Sequence, residues 1–99
     1  MAFAIAIDED AIAAFCRRYN VERLSLFGSV LRDDFGDRSD VDVLVEFEHG
    51  RVPGLGFFTM QEELGRILRH PVDLSTPQFL GADIRARVVD EAAVIHEQA

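Results

Sequence analysis

The chain is organised around residues 26–47, which read LFGSVLRDDFGDRSDVDVLVEF. An apolar run leads into Gly28 and Ser29, and after ten intervening residues Asp40 and Asp42 stand at the head of a second apolar run. Side chains alternate between the two faces of a strand, so both carboxylates are expected to project from one face. The opposite face then carries the apolar side chains Val41, Val43, Val45 and Phe47.

Two carboxylates directed at one place repel each other unless a cation lies between them. Hard oxygen ligands suit Mg²⁺ or Mn²⁺, so the pair Asp40 and Asp42 predicts a divalent metal site. Gly28 lets the backbone approach a ligand closely, and Ser29 adds a hydroxyl where a helical turn could begin. This corner is suited to a phosphate group.

A purely structural interpretation of each half is also available. Gly-Ser after a strand is commonly a turn, and Asp-x-Asp is commonly a polar strand face or a helix cap. The order strand, Gly-Ser, ten residues, Asp-x-Asp, strand is more specific, because an ordinary loop has no need for both halves. The combination favours a metal and phosphate site.

Composition limits the classes of protein and partner. A chain of 99 residues suits a single domain over residues 1–99, and 48% hydrophobic residues predict a packed core. The net charge of −8 opposes binding to nucleic acid or to an anionic membrane, and it would attract a basic protein partner. No nucleic-acid partner is therefore expected.

The single cysteine, Cys16, excludes an internal disulfide and lies on an apolar helix face, where a place in the core is expected. The three histidines follow no zinc-ligand spacing. The apolar N-terminus has no basic leader, and no apolar run reaches membrane-spanning length. These features predict a cytoplasmic protein without a membrane segment.

Periodicity predicts the remaining elements. An amphipathic helix is expected from Asp8 to near Asn20, and Phe57 and Phe58 are expected to pack in the core from a second helix that starts at about Gly56. Strands are predicted at residues 23–27, 40–47 and 71–74.

Two signals predict helix at the C-terminal end of the sequence. Thr76-Pro77 is a helix-start signal, with threonine as the N-cap. Ile84, Val88, Ala92 and Ile95 then recur at helical spacing and predict a terminal helix that packs on the sheet. The element order indicates a single α/β or α+β unit.

Asp73 lies between two apolar residues, Val72 and Leu74, in the short third strand. Such an acid belongs either to the solvated face of an edge strand or to a site that contains a cation. Since Asp40 and Asp42 already predict such a site, a third carboxylate directed at it is the favoured interpretation.

With Gly28-Ser29, Arg32, residues 39–42 and residues 72–74 in place, the sequence resembles the minimal nucleotidyltransferases of the DNA polymerase beta-like superfamily. The resemblance extends over nearly the whole chain. It implies a small mixed sheet of about three to four strands packed against helices.

The resemblance also implies roles for individual residues. Asp40, Asp42 and Asp73 would hold two Mg²⁺ ions, with Mn²⁺ as a possible substitute, and Asp73 would also help to deprotonate the acceptor. Residues at the nucleotide phosphates would be Gly28, Ser29, Arg32 and Ser39.

The implied reaction is transfer of AMP from ATP to a tyrosine hydroxyl of a HEPN-type ribonuclease toxin. The protein would then be the antitoxin, in a hetero-oligomer with its toxin. Transfer to a small molecule is less favoured, because relatives that do this have an additional helical domain.

The sequence departs from many relatives at two positions. These relatives carry arginine directly after Gly-Ser and glycine after the second arginine, where this chain has Val30 and Asp33. The departures keep open an alternative in which the chain is a non-catalytic binding module that neutralises its partner by covering it.

Overall fold

A computed structural model describes residues 5–32, 36, 39–48 and 54–98 of the chain. In these residues the regular elements follow the order α1, β1, β2, α2, β3, α3, β4. Their bounds are Glu9–Arg18 (α1), Val21–Phe27 (β1), Val41–Phe47 (β2), Gly56–Leu68 (α2), Val72–Ser75 (β3), Ala82–Glu91 (α3) and Ala93–Glu97 (β4), with 3₁₀ turns at Gly28–Leu31 and Pro77–Phe79.

The four strands form one mixed sheet in the order β3-β2-β1-β4. β1 runs antiparallel to both of its neighbours, and β2 runs parallel to β3. The parallel pair requires a crossover, which α2 supplies. The predicted fold class, an α/β or α+β unit with a small mixed sheet packed against helices, is confirmed.

α1 and α2 cover one face of the sheet and enclose the core with it. The predicted first helix is confirmed: the Asp8 carboxylate caps α1 by accepting a hydrogen bond of 3.1 Å from the Ala11 N–H, which leaves one fewer free donor at the helix start. Acidic residues in the first turn and arginines in the last turn complement the helix dipole. The largest fully buried side chains are Ile12, Phe15, Leu24, Leu26, Met60, Leu64 and Leu68.

A β-bulge in β1 lets two residues that would lie on opposite faces of a regular strand both reach the core. The pairing with β2 shifts between Val21 and Arg23, where β1 contains an extra residue. Because the bulge interrupts the alternation of faces, Val21 and Leu24 are both buried in the core cluster although they are three positions apart. β1 thus begins at Val21, two residues before the predicted strand 23–27.

The C-terminal end contradicts the predicted terminal helix. α3 ends at Glu91, and residues Ala93–Glu97 form β4 against β1. β4 covers an edge of β1 that would otherwise expose unpaired backbone groups. The helical spacing of Ala92 and Ile95 with Ile84 and Val88 is therefore coincidental.

The Thr76-Pro77 signal starts only a three-residue 3₁₀ turn, so the prediction of a helix from this point is wrong. Leu80 and Gly81 have extended backbone angles, and α3 begins at Ala82. Thr76 makes no side-chain capping bond; it is buried instead.

The phenylalanine pair at the start of α2 divides between core and surface. Phe57 packs against the core, whereas Phe58 is 72% exposed, so the prediction holds for the first residue and is wrong for the second. Neighbouring residues in a helix point about 100° apart, so only one of the two can face the sheet fully.

Cys16 is buried in the core as predicted, and burial raises the pKa of its thiol to about 12. Within the described segments, no helix is long and apolar enough to cross a membrane.

Candidate active site

The end of β1 lies directly beside the start of β2. Phe27 pairs with Asp42 across the antiparallel ladder, which puts Gly28 next to the Asp42 carboxylate. Gly28 has φ +77°, and a Cβ atom added there would lie 3.2 Å from Asp42 Cγ and would collide with Oδ2. Glycine is therefore required at this corner both for the backbone angle and for the close approach of the carboxylate.

The third predicted carboxylate lies on the other side of Asp42. Asp42 pairs in register with Asp73 across the parallel β2–β3 ladder. Residues that pair in register project from the same face of a sheet, so these two carboxylates share a face. The opposite face of β2 carries Val41, Val43 and Val45, which are fully buried. The core thus holds the strand from one side while the acids face the other.

The acids affect one another electrostatically. Burial raises the pKa of the Asp42 carboxyl above its ordinary range, and the negative charges of Asp73 and then Asp40 raise it further. Arg32 acts in the opposite direction and lowers this pKa. All three predicted metal carboxylates and the predicted phosphate arginine are thus close enough to influence one carboxyl group.

This donor set fits a hard divalent cation. The groups are carboxylate oxygens, and Asp40 and Asp73 are exposed beside the half-buried Asp42. Among the described residues, no three Asp, Glu, His or Cys side chains converge enough to enclose an ion by themselves. An open set of this kind suits Mg²⁺, which usually keeps several waters and shares its remaining positions with substrate phosphates.

Residues after Gly28 form the predicted helical turn as a 3₁₀ turn. The Ser29 carbonyl accepts a hydrogen bond of 2.9 Å from the Arg32 N–H, which closes the turn and brings Arg32 to the surface. Val30 is only 2% exposed and belongs to the core cluster, so this position contributes packing and no cation. Asp33 lies outside the described residues.

Ser39 takes part in a local turn before β2. Its hydroxyl accepts a hydrogen bond of 3.0 Å from the Gly36 N–H, and its own N–H donates to the Gly36 carbonyl at 3.0 Å. Ser39 therefore shapes the segment that leads to Asp40. A hydroxyl that accepts can still donate, and the predicted contact of Ser39 with a phosphate stays a prediction.

One contact next to the acids could not be predicted from the sequence. The Gln61 side chain on α2 accepts a hydrogen bond of 3.0 Å from the N–H of Leu74, the residue after Asp73. No motif or spacing in the sequence signals this bond, because it joins two elements and depends on how α2 packs against β3.

Residues 9–95 match the family described as "Nucleotidyltransferase domain". The chain belongs to the nucleotidyltransferase family. The resemblance drawn from Gly28-Ser29 and the three aspartates is thereby confirmed, as is the prediction that the protein is a nucleotidyltransferase enzyme.

Individual relatives agree with this assignment. The nucleotidyltransferase is 34% identical over 79 residues to the protein adenylyltransferase MntA of Thermococcus cleftensis, a match that covers 79% of this chain and 78% of the relative. A solved structure, provisionally named a minimal nucleotidyltransferase, is 33% identical with a TM-score of 0.71 and 85% coverage of both chains.

A more distant structure has the same fold. It is a toxin-antitoxin structure with AMP-PNP, 19% identical, with a TM-score of 0.73, and the match covers 93% of this chain and 75% of the other. At that identity the similarity concerns the fold.

Proposed function

We propose that this nucleotidyltransferase transfers AMP from ATP to a tyrosine hydroxyl of a HEPN-type ribonuclease toxin and so acts as its antitoxin. The observation that carries the proposal is the register of Asp42 with Asp73 beside Gly28, which supports a site for metal and triphosphate together. The relative MntA is named a protein adenylyltransferase, and the fold is shared with a toxin-antitoxin structure that contains AMP-PNP.

In this proposal Asp40, Asp42 and Asp73 hold two Mg²⁺ ions, for which Mn²⁺ can substitute. Bound ions of this kind supply positive charge to the attacking and leaving oxygens of an in-line displacement. The glycine corner at Gly28 and Ser29 lets the backbone approach the phosphates.

Arg32 offers the guanidinium for the phosphates. Its influence on the pKa of Asp42 supports a position within reach of the same ligand, and a planar guanidinium can bond two phosphate oxygens at once.

The proposed reaction forms one bond and breaks another at the α-phosphorus. The tyrosine oxygen attacks that phosphorus, and the bond from the α-phosphorus to the bridging oxygen breaks. Pyrophosphate leaves with the electron pair of the broken bond. The hydroxyl proton passes to the exposed Asp73 carboxylate, which stands on the edge strand where an acceptor can approach.

The acceptor belongs to another molecule in this proposal. The nucleotidyltransferase carries a net charge of −8, which favours association with a basic protein and opposes binding to nucleic acid. A cytoplasmic location is proposed, since the buried free thiol of Cys16 suits a reducing compartment.

The test uses the helical protein encoded by the neighbouring gene, purified with verified ribonuclease activity. The nucleotidyltransferase is incubated with this toxin, MgCl₂ and ATP labelled either at the α-phosphate or at the γ-phosphate. Label from the α-phosphate alone is expected on a toxin tyrosine, with loss of ribonuclease activity. An active toxin that acquires no label overturns the proposal, and label from the γ-phosphate would indicate a kinase instead.

A second candidate is a binding module that neutralises the toxin by covering it. The burial of Val30 favours it, because the position where many relatives carry an arginine faces the core here. The variant with Asp40→Asn and Asp42→Asn separates the two candidates. If the folded variant neutralises the toxin fully, covering is sufficient; if it binds the toxin without inactivating it, catalysis is required.

A further inference from the structure

Asp73 is carried by β3, a short strand at one edge of the sheet. β3 has only four residues and lies at the end of the strand order, so β2 is its only neighbour among the described strands. The register that sets Asp73 beside Asp42 therefore depends on one short ladder and on whatever holds the outer edge of β3.

Gln61 provides a contact at that outer edge. The Pro71 carbonyl accepts a hydrogen bond of 2.8 Å from the Val41 N–H, so this carbonyl is directed toward β2. Successive residues of a strand turn their backbone groups to opposite edges, and the N–H of Leu74 is directed away from β2. It donates to Gln61 Oε1 at 3.0 Å in a partly buried contact.

This hydrogen bond acts on the peptide group of Asp73 itself. The peptide between Asp73 and Leu74 is planar, so its N–H and its carbonyl point in opposite directions. With the N–H bonded to Gln61 on α2, the carbonyl faces β2. The peptide group is thus held from both sides, which fixes the direction in which the Asp73 side chain leaves the strand.

The position of Gln61 on α2 makes the contact rigid. Met60 and Leu64 on the same helix are fully buried against the sheet, and Leu74 itself is buried. Gln61 is half-buried at the border of this core. Because α2 packs against the sheet, the helix backbone holds the Gln61 amide beside β3.

Such fixing matters because the carboxylates repel each other. Asp42 and Asp73 pair in register and share a face of the sheet, so the two carboxylates repel each other when both are ionised. A Mg²⁺ ion demands near-ideal geometry, with oxygens at about 2.0–2.1 Å. A small displacement of β3 away from β2 would therefore weaken the site.

We infer that Gln61 is a positioning residue, which holds Asp73 at the metal site through the hydrogen bond from the Leu74 N–H. The inference rests on the metal role given to Asp73 in the proposed function. In this role Gln61 acts through the Leu74 peptide group and is not itself a metal ligand.

The test compares Gln61→Leu, which removes the acceptor but keeps the side-chain bulk, with Gln61→Glu, which keeps an acceptor oxygen. Mn²⁺ binding is measured by electron paramagnetic resonance in the presence of a non-hydrolysable ATP analogue. Gln61→Leu is expected to bind Mn²⁺ about tenfold more weakly, and Gln61→Glu to recover most of the affinity. Faster hydrogen exchange of the Leu74 amide is expected in Gln61→Leu.

Tyr19→Phe is the matched control. The Tyr19 hydroxyl donates a partly buried hydrogen bond of 3.2 Å to Glu63 on α2, the helix that also carries Gln61. This variant is expected to lose similar stability without any change in Mn²⁺ affinity. If wild type and Gln61→Leu bind Mn²⁺ with equal affinity, the positioning role of Gln61 is wrong and the proposed function is unaffected. The same holds if Tyr19→Phe weakens Mn²⁺ binding as much as Gln61→Leu does. A wild type that binds no Mn²⁺ overturns the metal site of the proposed function and this inference with it.

Discussion

Gly28 leaves no room for a side chain beside Asp42. The missing side chain of the glycine gives the Asp42 carboxylate room beside the backbone, and the positive φ angle would strain any other residue. The backbone angle and the close carboxylate are two separate reasons for glycine. A substitution at Gly54, which shares only the positive φ angle, distinguishes between them.

Replacing Gly28 by alanine is expected to reduce nucleotidyl transfer about a hundredfold, because the new Cβ displaces the Asp42 carboxylate. The free energy of unfolding is expected to fall by about 1–3 kcal/mol from backbone strain. Activity is measured with ATP labelled at the α-phosphate, and stability by urea unfolding.

Gly54→Ala serves as the control for this prediction. Gly54 also has a positive φ, of 64°, but nothing lies within 4 Å of a Cβ atom added there. The control is expected to lose stability and to retain activity. Equal activity of the two variants would show that the contact with Asp42 is unimportant for the reaction.

Among the elements, α3 is the most weakly attached helix of the described residues. Val88 is its only buried residue, at 9% exposure, whereas the adjacent Val89 is 49% exposed. β4, which follows α3 directly, is tied to β1 by the ladder and by the ion pair of Arg23 with Glu97 at 2.6 Å. Arg23 also pairs with Glu46 on β2 at 3.2 Å.

Val88→Ala is expected to lower the free energy of unfolding by about 1.5 kcal/mol, because two buried methyl groups are removed. Val89→Ala gains the same helix propensity but loses little burial, so it is expected to change stability by less than about 0.5 kcal/mol. Urea unfolding of both variants is the measurement. Equal stabilities would mean that Val88 does not anchor α3.

Prediction from sequence succeeded for those elements whose apolar pattern has a single interpretation. α1 has a cap, a regular stripe and a charge gradient, and β2 has three alternating valines, so local information defines both. β4 could not be predicted, because Val94 and Ile95 fit either a helix or a strand locally, and the free edge of β1 selected the strand. Gln61 also carried no local signal.

At the scale of the whole molecule, the chain is acidic, and three of its carboxylates influence one another at the candidate site. The chain has 18 acidic and 10 basic residues, and burial together with two neighbouring carboxylates raises the pKa of Asp42. A carboxyl with a raised pKa binds more protons in the folded state than in the unfolded state, so stability decreases as the pH rises through that pKa.

The variant with Asp40→Asn and Asp42→Asn is therefore expected to have a higher Tm than wild type near neutral pH without divalent ions. This advantage should disappear at a pH below the ordinary range of aspartate, where the carboxyls are neutral in both folded and unfolded states. Calorimetry across the pH range measures it. A variant that is no more stable than wild type near neutral pH contradicts the prediction.

Millimolar MgCl₂ is expected to reverse this order by raising the Tm of the wild type only, since a ligand that binds the folded state stabilises it. NaCl at the same ionic strength is the control for screening. An equal effect of the two salts would mean that no specific ion binds.

The sequence by itself determined the acid pair at the start of β2, with Asp42 opposite the buried valines, the glycine corner and the family. These features depend on residue type and on short spacings, which a strand or turn converts directly into geometry. The tertiary structure decided how closely the parts meet: the register of Asp42 with Asp73, the contact of Gly28 with Asp42, and the bond from Leu74 to Gln61. These depend on the packing of elements distant in the chain, and local patterns carry no information about it.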